Sequence, residues 1–235
     1  MSSQDNSPCR ILVMASGFGS NFQAIIDAIS SGSLPNSRII FLIVNRKNAH
    51  ATVRAEKAGR AYRTNSRPGI PWEYFNLISD GFLKKGETDE QKVVEGRQKY
   101  DAALAEKILS AEVKPELIVL AGWMHVFSTA FLDPVKKAGI NIINLHPALP
   151  GEFDGANAIE RAYDEFKAGR LTRSGIMAHY VIAEVDRGTP ILVKEIEWKG
   201  ESLDEYKEKV HSHEHELIVN ATAKVAQETV QKRSS

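Results

Sequence analysis

The sequence predicts an α/β protein with a doubly wound, mainly parallel sheet, an antiparallel C-terminal hairpin and a long C-terminal helix. Uniformly apolar runs, such as residues 39–44, are typical of strands covered on both faces. These runs alternate with segments whose apolar residues recur at helical spacing. The last two apolar runs are joined only by residues 186–190, which is too short for a parallel crossover and favours a hairpin.

The first half of the chain predicts two strand–helix pairs. Apolar residues at i, i+3, i+4 and i+7 follow the first strand and mark its helix: Phe22, Ile25, Ile26 and Ile29. The other predicted elements are a strand over 10–15, a strand over 39–44 and a helix over 51–60. Residues 65–89 then interrupt the alternation with prolines and glycines around an aromatic cluster, and we interpret them as a long insertion or lid.

The second half continues the alternation and ends in the hairpin and the long helix. A loop rich in proline and glycine, residues 147–155, follows the last parallel strand. The predicted helices cover 90–111, 128–138, 156–167 and 202–231, and the predicted strands cover 116–121, 140–145, 176–184 and 191–198. We expect one domain over 10–235, with the insertion inside it, after a disordered tail over 1–9.

Charge and composition exclude several classes of function. The chain has 235 residues, and 30 Lys plus Arg balance 30 Asp plus Glu, so no net field would attract nucleic acid or anionic lipid. No apolar run reaches about 18 residues, which excludes a membrane-spanning helix. The single cysteine, Cys9, is expected to be an idle tail thiol in a reducing compartment. We therefore expect a cytoplasmic protein, a monomer or weak homodimer, with neither nucleic-acid nor membrane partners.

A glycine turn between the first strand and the first helix is a candidate phosphate site. Gly19, Ser20 and Asn21 place backbone N–H groups and a helix N-terminus where an anion could bind. Phe22 replaces the third glycine of the dinucleotide fingerprint and no acidic residue follows the second strand, so NAD is disfavoured. The alternative is an ordinary turn in which Ser20 or Asn21 caps the helix.

An amide and an imidazole share one face at the end of a predicted strand. Asn144 and His146 alternate with apolar neighbours, so they project to the same side at the carboxyl end, where ligands bind in open α/β sheets. Together they could donate hydrogen bonds to an oxygen that gains negative charge in acyl transfer. Asp186 is the candidate carboxylate that keeps His146 protonated. The alternative is that His146 caps a carbonyl and Asp186 forms a turn.

Three histidines on the C-terminal helix raise the possibility of a metal. His211 and His215 are i, i+4, with His213 between them, but Ser212 stands where the zinc-protease pattern requires Glu. Since no third ligand is apparent, we expect no metal and a charged helix face that partly lines a pocket.

Four stretches in one order resemble the phosphoribosylglycinamide formyltransferase family, in its fungal branch. They are A-S-G-F-G-S-N-F-Q-A-I-I from Ala15, L-A-G-W-M from Leu120, I-N-L-H-P-A-L-P from Ile143 and E-V-D-R-G-T-P-I from Glu184. The resemblance implies the formyltransferase fold and transfer of a formyl group from 10-formyltetrahydrofolate to glycinamide ribonucleotide in purine biosynthesis.

The resemblance also implies roles for individual residues. It makes Asn144, His146 and Asp186 catalytic, with His146 as the proton donor. It assigns the substrate phosphate to Gly19, Ser20 and Asn21, and the substrate ribose and amine to His211, Ser212, His213 and Glu214. The implied folate-binding residues, beyond Asn144 and Asp186, are Arg97, Met124, His125, Val126, Phe127, Ile182, Ala183, Glu184 and Val185.

Two positions depart from the family pattern, and two other functions compete with the one it implies. His125 stands where Arg is common, and His211 stands where Gln is familiar. A formyltetrahydrofolate deformylase would release formate without an amine acceptor. A catalytically inactive nucleotide-binding module would keep the fold and bind folate without turnover.

Overall fold

The apolar runs of the sequence form the inner strands of a sheet with helices on both faces. The computed structural model describes residues 7–58 and 69–233. Within them the strands are β1 (Cys9–Ala15), β2 (Ser37–Val44), β3 (Trp72–Tyr74), β4 (Leu117–Leu120), β5 (Asn141–His146), β6 (Arg173–Tyr180) and β7 (Pro190–Glu197). The helices are α1 (Ser20–Ser31), α2 (Ala51–Lys57), α3 (Glu90–Leu109), α4 (Thr129–Lys137), α5 (Ala158–Lys167) and α6 (Leu203–Arg233).

The strand order places a ligand crevice beside β1. The order is β3-β2-β1-β4-β5-β6-β7, with parallel pairing from β3 to β5 and antiparallel pairing from β5 to β7. The chain moves outward from β1 in one direction through β2 and returns to its other side with β4. Such a switch point opens a crevice at the carboxyl ends of the strands. The predicted fold class is confirmed, including the antiparallel hairpin and the long last helix.

Alternating side chains of the central strand fill two separate cores. Ile11 and Val13 of β1 are fully buried in one cluster, with residues of α1, α5 and α6. Leu12 and Met14 of the same strand are buried in the other cluster, with residues of α3 and α4. A strand with apolar residues at every position is what a sheet covered on both faces requires. Among the described helices, none is long and apolar enough to cross a membrane.

The segment predicted as an insertion or a lid adds a short strand to the edge of the sheet. Trp72–Tyr74 is β3, which pairs in parallel with the edge of β2. The rings of Phe75 and Phe82 pack against Tyr100 of α3, with centroids 5.1 and 5.6 Å from its ring. None of residues 69–89 lines the cavity described below, so the lid interpretation is wrong for them. Aromatic burial against α3 accounts for their position, and residues 65–68 lie outside the described residues.

The predicted N-terminal tail extends too far along the chain. Cys9 is the first residue of β1 and is fully buried, and its N–H donates to the Asn36 carbonyl at 2.7 Å. Burial raises the pKa of its thiol to about 12. Cys9 is therefore a small core residue and not an idle tail thiol. Residues 1–6 of the predicted tail lie outside the described residues.

The hairpin is present, but its first strand is shorter than predicted. β6 ends at Tyr180 and β7 begins at Pro190, so residues 181–189 form a loop. The Val181 N–H still donates to the Ile142 carbonyl of β5 at 2.8 Å, after which the chain leaves the sheet. Gly188 returns so close to β6 that a Cβ there would lie 1.6 Å from the Tyr180 oxygen. This loop carries Asp186 toward β5.

Candidate active site

A cavity of about 680 Å³ lies at the carboxyl ends of β1, β4 and β5. Its walls are the glycine turn after β1, the loop after β4, the end of β5, the 181–186 loop and α6. Residues 155–160, at the start of α5, complete the lining, so these segments come from six parts of the chain. They meet because each follows, or packs against, the same edge of the sheet.

Asn144, His146 and Asp186 meet in this cavity. The Nδ1 atom of His146 lies 3.3 Å from Oδ2 of Asp186, and Nδ2 of Asn144 lies 3.5 Å from Oδ1 of the same carboxylate. The N–H of Gly155 also donates to Asp186 Oδ2, at 2.8 Å. The cluster inferred from strand periodicity and one distant aspartate is thus formed in the fold.

The competing interpretation of these residues also holds in part. Nε2 of His146 lies 3.2 Å from the carbonyl oxygen of Phe153, so this imidazole faces a backbone carbonyl. Asp186 adopts the left-handed conformation, with φ of +57°, as expected of a turn-forming aspartate. The contacts of His146 and Asp186 thus fit both interpretations.

Burial opposes the protonation that the sequence argument assigned to His146. His146 is almost fully buried, and this burial lowers its pKa, while Asp186 acts in the opposite direction. The net direction for the protein without ligands is downward, although Asp186 acts on the pKa of His146 in the predicted, upward direction. Burial also acts to raise the pKa of Asp186, but His179, the Gly155 N–H and His146 outweigh it and hold that pKa low.

His179 is a member of this cluster that sequence reasoning missed. Its Nε2 lies 3.4 Å from Oδ1 of Asp186 and 3.4 Å from Nδ2 of Asn144, and its Nδ1 lies 2.9 Å from the Tyr180 carbonyl. The antiparallel register of β5 and β6 places His179 directly opposite Asn144. Only that register indicates that His179 belongs to the cluster, and the register is not known until the pairing of β5 and β6 is known.

The glycine turn presents a bare helix N-terminus to the cavity. Gly19 is the N-cap of α1, in the left-handed conformation with φ of +74°, and no side chain of the described residues caps this helix. Gly19, Ser20 and Asn21 all border the cavity. The alternative that Ser20 or Asn21 caps α1 is therefore wrong. The first N–H groups of a helix without such a cap favour an anion.

The last helix contributes two of its four candidate residues. His211 and Glu214 line the cavity, whereas Ser212 and His213 do not. Glu214 is nearly buried, and Nδ2 of Asn21 lies 3.4 Å from its Oε2, which connects α6 to the glycine turn. Burial raises the pKa of Glu214, although His211 and Asn21 act to lower it.

Histidine, cysteine and acidic side chains form no metal centre in the described part of the chain. There, no three or more His, Cys, Asp or Glu side chains come close enough together to hold an ion.

Most of the predicted folate-binding residues form an apolar rim on one side of the cavity, and Arg97 supports this rim from outside the cavity. Met124, Val126, Ile182 and Val185 are exposed where they border the cavity, and Phe127 and Glu184 border it as well. Arg97 and Ala183 do not line the cavity. Arg97 instead donates from Nη2 to the Val126 carbonyl at 3.1 Å, so it supports the loop from outside.

His125, one of the two residues that depart from the family pattern, borders the cavity but directs its imidazole to α3. Its Nε2 lies 2.7 Å from Oδ1 of Asp101, and both side chains are nearly inaccessible. The other Asp101 oxygen accepts the Ser128 N–H at 2.6 Å. Asp101 is a second residue that sequence reasoning missed, because nothing in the pattern of α3 distinguishes it from an exposed helix carboxylate.

Fold and cavity together define an α/β protein with a ligand crevice at its switch point and a cluster of amide, imidazole and carboxylate side chains inside it. The chain belongs to the formyl transferase family, whose model matches residues 9–222. This confirms the resemblance seen in the four sequence stretches.

Relatives and solved structures agree with this membership. Phosphoribosylglycinamide formyltransferase of Schizosaccharomyces pombe is 44% identical over 213 residues, covering 90% of this chain and 94% of that protein. The Saccharomyces cerevisiae protein of the same name is 38% identical over 226 residues, covering 93% and 98%. The crystal structure of glycinamide ribonucleotide transformylase 1 from Symbiobacterium toebii has a TM-score of 0.73 at 25% identity, covering 97% of this chain and 91% of that one.

Proposed function

We propose that this chain is a phosphoribosylglycinamide formyltransferase. It transfers the formyl group of 10-formyltetrahydrofolate to the amine of glycinamide ribonucleotide, yielding N-formylglycinamide ribonucleotide and tetrahydrofolate in purine biosynthesis. The observation that carries the proposal is the meeting of Asn144, His146 and Asp186 in a cavity that also holds a bare helix N-terminus. The names of the relatives support the choice of substrates.

The phosphorylated substrate fits the side of the cavity formed by α1 and α6. The N–H groups around Gly19, Ser20 and Asn21 would hold its phosphate, since a helix N-terminus without a side-chain cap favours an anion. Glu214, next to Asn21, would accept hydrogen bonds from the ribose hydroxyls, and His211 would border the same substrate. This arrangement explains how a chain with no net charge can bind an anion locally.

The formyl donor fits the opposite side, where the rim is apolar. Met124, Val126, Ile182 and Val185 offer exposed aliphatic and thioether surface on which a flat heterocycle can pack. The His125 imidazole faces Asp101 and not solvent, so it would act by holding the loop in shape. Arg97 would support the same loop through the Val126 carbonyl.

The chemical step requires stabilisation of a developing oxyanion. The substrate amine attacks the formyl carbon, and the carbonyl oxygen gains negative charge. The carbonyl then re-forms as the bond to the folate nitrogen breaks, and the proton that the amine loses is balanced by the one that the folate nitrogen gains. Asn144 Nδ2 and the protonated His146 would donate to the oxygen, His146 through its Nε2, which would leave the Phe153 carbonyl that it faces in the protein without ligands. Preorganised donors of this kind supply much of the catalysis in acyl transfer. Asp186 would orient His146 and stabilise its charged form.

The lowered pKa of His146 does not conflict with its role as a protonated donor to the oxyanion. In a buried site, negative charge from the substrates and the oxyanion interacts strongly with an imidazolium, because little water screens it. Arrival of that charge raises the pKa of His146 when it is needed. The pKa of His146 is thus lowered by burial in the protein without ligands and would be raised by the negative charge of the bound substrates.

The direct test is an assay of formyl transfer from 10-formyltetrahydrofolate to glycinamide ribonucleotide by the purified chain, with His146→Ala as the control. Transfer by the wild type and its loss in the variant are the expected results. Formate release at the same rate without glycinamide ribonucleotide would instead identify a deformylase. Folate binding without turnover by the wild type would identify an inactive module.

A further inference from the structure

The glycine turn is held from outside the cavity by α2, and Arg54 makes two of the contacts. Its Nε donates to the carbonyl oxygen of Phe18 at 2.9 Å, and its Nη1 donates to Oε1 of Gln23 at 3.1 Å. The Ala51 N–H, at the start of α2, donates to the carbonyl oxygen of Gly17 at 3.3 Å. Two successive carbonyl groups of the turn are therefore directed toward α2.

The direction of these carbonyls determines where the turn's N–H groups point. In a trans peptide the C=O and N–H bonds point in opposite directions, and the described chain contains no cis peptide. The N–H groups of Phe18 and Gly19 are thus turned away from α2. Because α2 contributes nothing to the cavity lining while the turn borders the cavity, these donors face the proposed phosphate site.

Packing leaves Arg54 and the turn little freedom to rearrange. The Phe18 ring, 66% exposed, contacts the Arg54 guanidinium, 4.5 Å from the ring centroid, and the His50 ring, 5.0 Å away and nearly parallel. A Cβ at Gly19 would lie 2.9 Å from the Cβ of Ala51, so α2 is in direct contact with the turn. Arg54 thus contacts the turn through the Phe18 ring as well as through the Phe18 carbonyl.

We propose that Arg54 is a positioning residue for phosphate binding, acting through the Phe18 carbonyl and Gln23 to direct the turn's N–H groups into the cavity. This inference rests on the proposed function, because it concerns the phosphate of glycinamide ribonucleotide. It predicts that KM for glycinamide ribonucleotide depends on the two donor groups of the planar guanidinium, and not on its charge alone. A lysine has the charge but not the fork geometry.

The test compares steady-state kinetics of the wild type with those of Arg54→Gln, Arg54→Lys and the control Lys57→Gln. Lys57 is exposed on the same helix and does not border the cavity. Both Arg54 variants are expected to raise KM for glycinamide ribonucleotide by about tenfold, the usual effect of losing one charged hydrogen bond. We expect kcat and KM for the folate donor to change less than threefold, and Lys57→Gln to behave like the wild type. Inorganic phosphate, used as a competitive inhibitor, should bind the Arg54 variants correspondingly more weakly.

The outcomes separate this inference from the proposed function. If the wild type transfers formyl groups and Arg54→Gln keeps its KM for glycinamide ribonucleotide within twofold, the positioning role is wrong while the function stands. Full recovery of KM in Arg54→Lys would show that charge alone is responsible, and would also overturn it. An equal loss in kcat and in both KM values would indicate general structural damage and refute the specific role. Absence of transfer by the wild type would reject the proposed function itself.

Discussion

Replacing Asp186 by asparagine removes one negative charge from the catalytic cluster while keeping the shape of the side chain. The carboxylate lies 3.3 Å from His146 and 3.4 Å from His179, and it is buried. Burial already lowers the pKa of His146, and Asp186 opposes that effect. Without the carboxylate charge, the pKa of His146 must therefore fall further.

The size of the effect follows from the geometry. Two unit charges 3.3 Å apart interact by about 5 kcal/mol at an effective dielectric constant of about 20, which is an upper limit for the lost attraction. A positioned general acid contributes roughly 10²- to 10⁴-fold to a rate. We expect kcat of Asp186→Asn to fall within that range at neutral pH.

The assay is formyl transfer followed from pH 5 to pH 9, together with nuclear magnetic resonance titration of the ¹⁵N-labelled histidine rings. If the imidazolium is the active form, kcat falls as pH rises through the pKa of His146. In Asp186→Asn that fall should occur at lower pH than in the wild type. Asp164→Asn, the same substitution at an exposed position of α5, should leave the profile unchanged. A loss of kcat below tenfold, or coincident profiles for Asp186→Asn and the wild type, would refute the coupling.

Four further substitutions test other parts of the site. Asn144→Ala should lower kcat by about 10²- to 10³-fold, as for loss of one oxyanion donor, and a loss below tenfold in the transfer assay would contradict its role. Because burial raises the pKa of Glu214 in the fold, its ionised form destabilises the protein as pH rises through that pKa. Glu214→Gln should then raise Tm more at pH 8 than at pH 5, by about 2–4 °C per kcal/mol, while raising KM for glycinamide ribonucleotide; equal Tm shifts would argue against it. Asp101→Asn should lower the free energy of unfolding by about 1–3 kcal/mol and raise KM for the folate donor, because asparagine has one acceptor oxygen for the two contacts that Asp101 makes, with His125 and the Ser128 N–H; an unchanged denaturation midpoint would exclude this. Gly19→Ala, at φ of +74° and in contact with α2, should weaken binding of inorganic phosphate at least about tenfold, and unchanged inhibition by phosphate would show that the turn is not the binding site.

Local patterns were sufficient for the features that depend on neighbouring residues. Uniform apolar runs identified the inner strands, because both faces of this sheet are covered. The strand period of two placed Asn144 and His146 on one side before any pairing was known. The short spacing of the last two runs predicted their antiparallel pairing, although the loop between them proved longer than expected.

Features that depend on distant residues could not be predicted in this way. Trp72–Tyr74 joins the sheet because β2 has a free edge beside it, and nothing in its own composition shows that edge. His179 enters the cluster only through its register with Asn144. Asp101 becomes a buried partner only when α3 packs beside the loop after β4.

The sequence by itself determined the order of strands and helices apart from β3, the family resemblance and the chemical types of the candidate groups. Only the tertiary structure decided that Asp186 reaches His146 across forty residues, that burial outweighs this carboxylate in setting the pKa of His146, and that Arg54 supports the glycine turn. The physical reason is that distance, burial and hydrogen-bond direction are properties of packed elements. Residue type and spacing along the chain do not contain them until the sheet order and its loops bring those elements together.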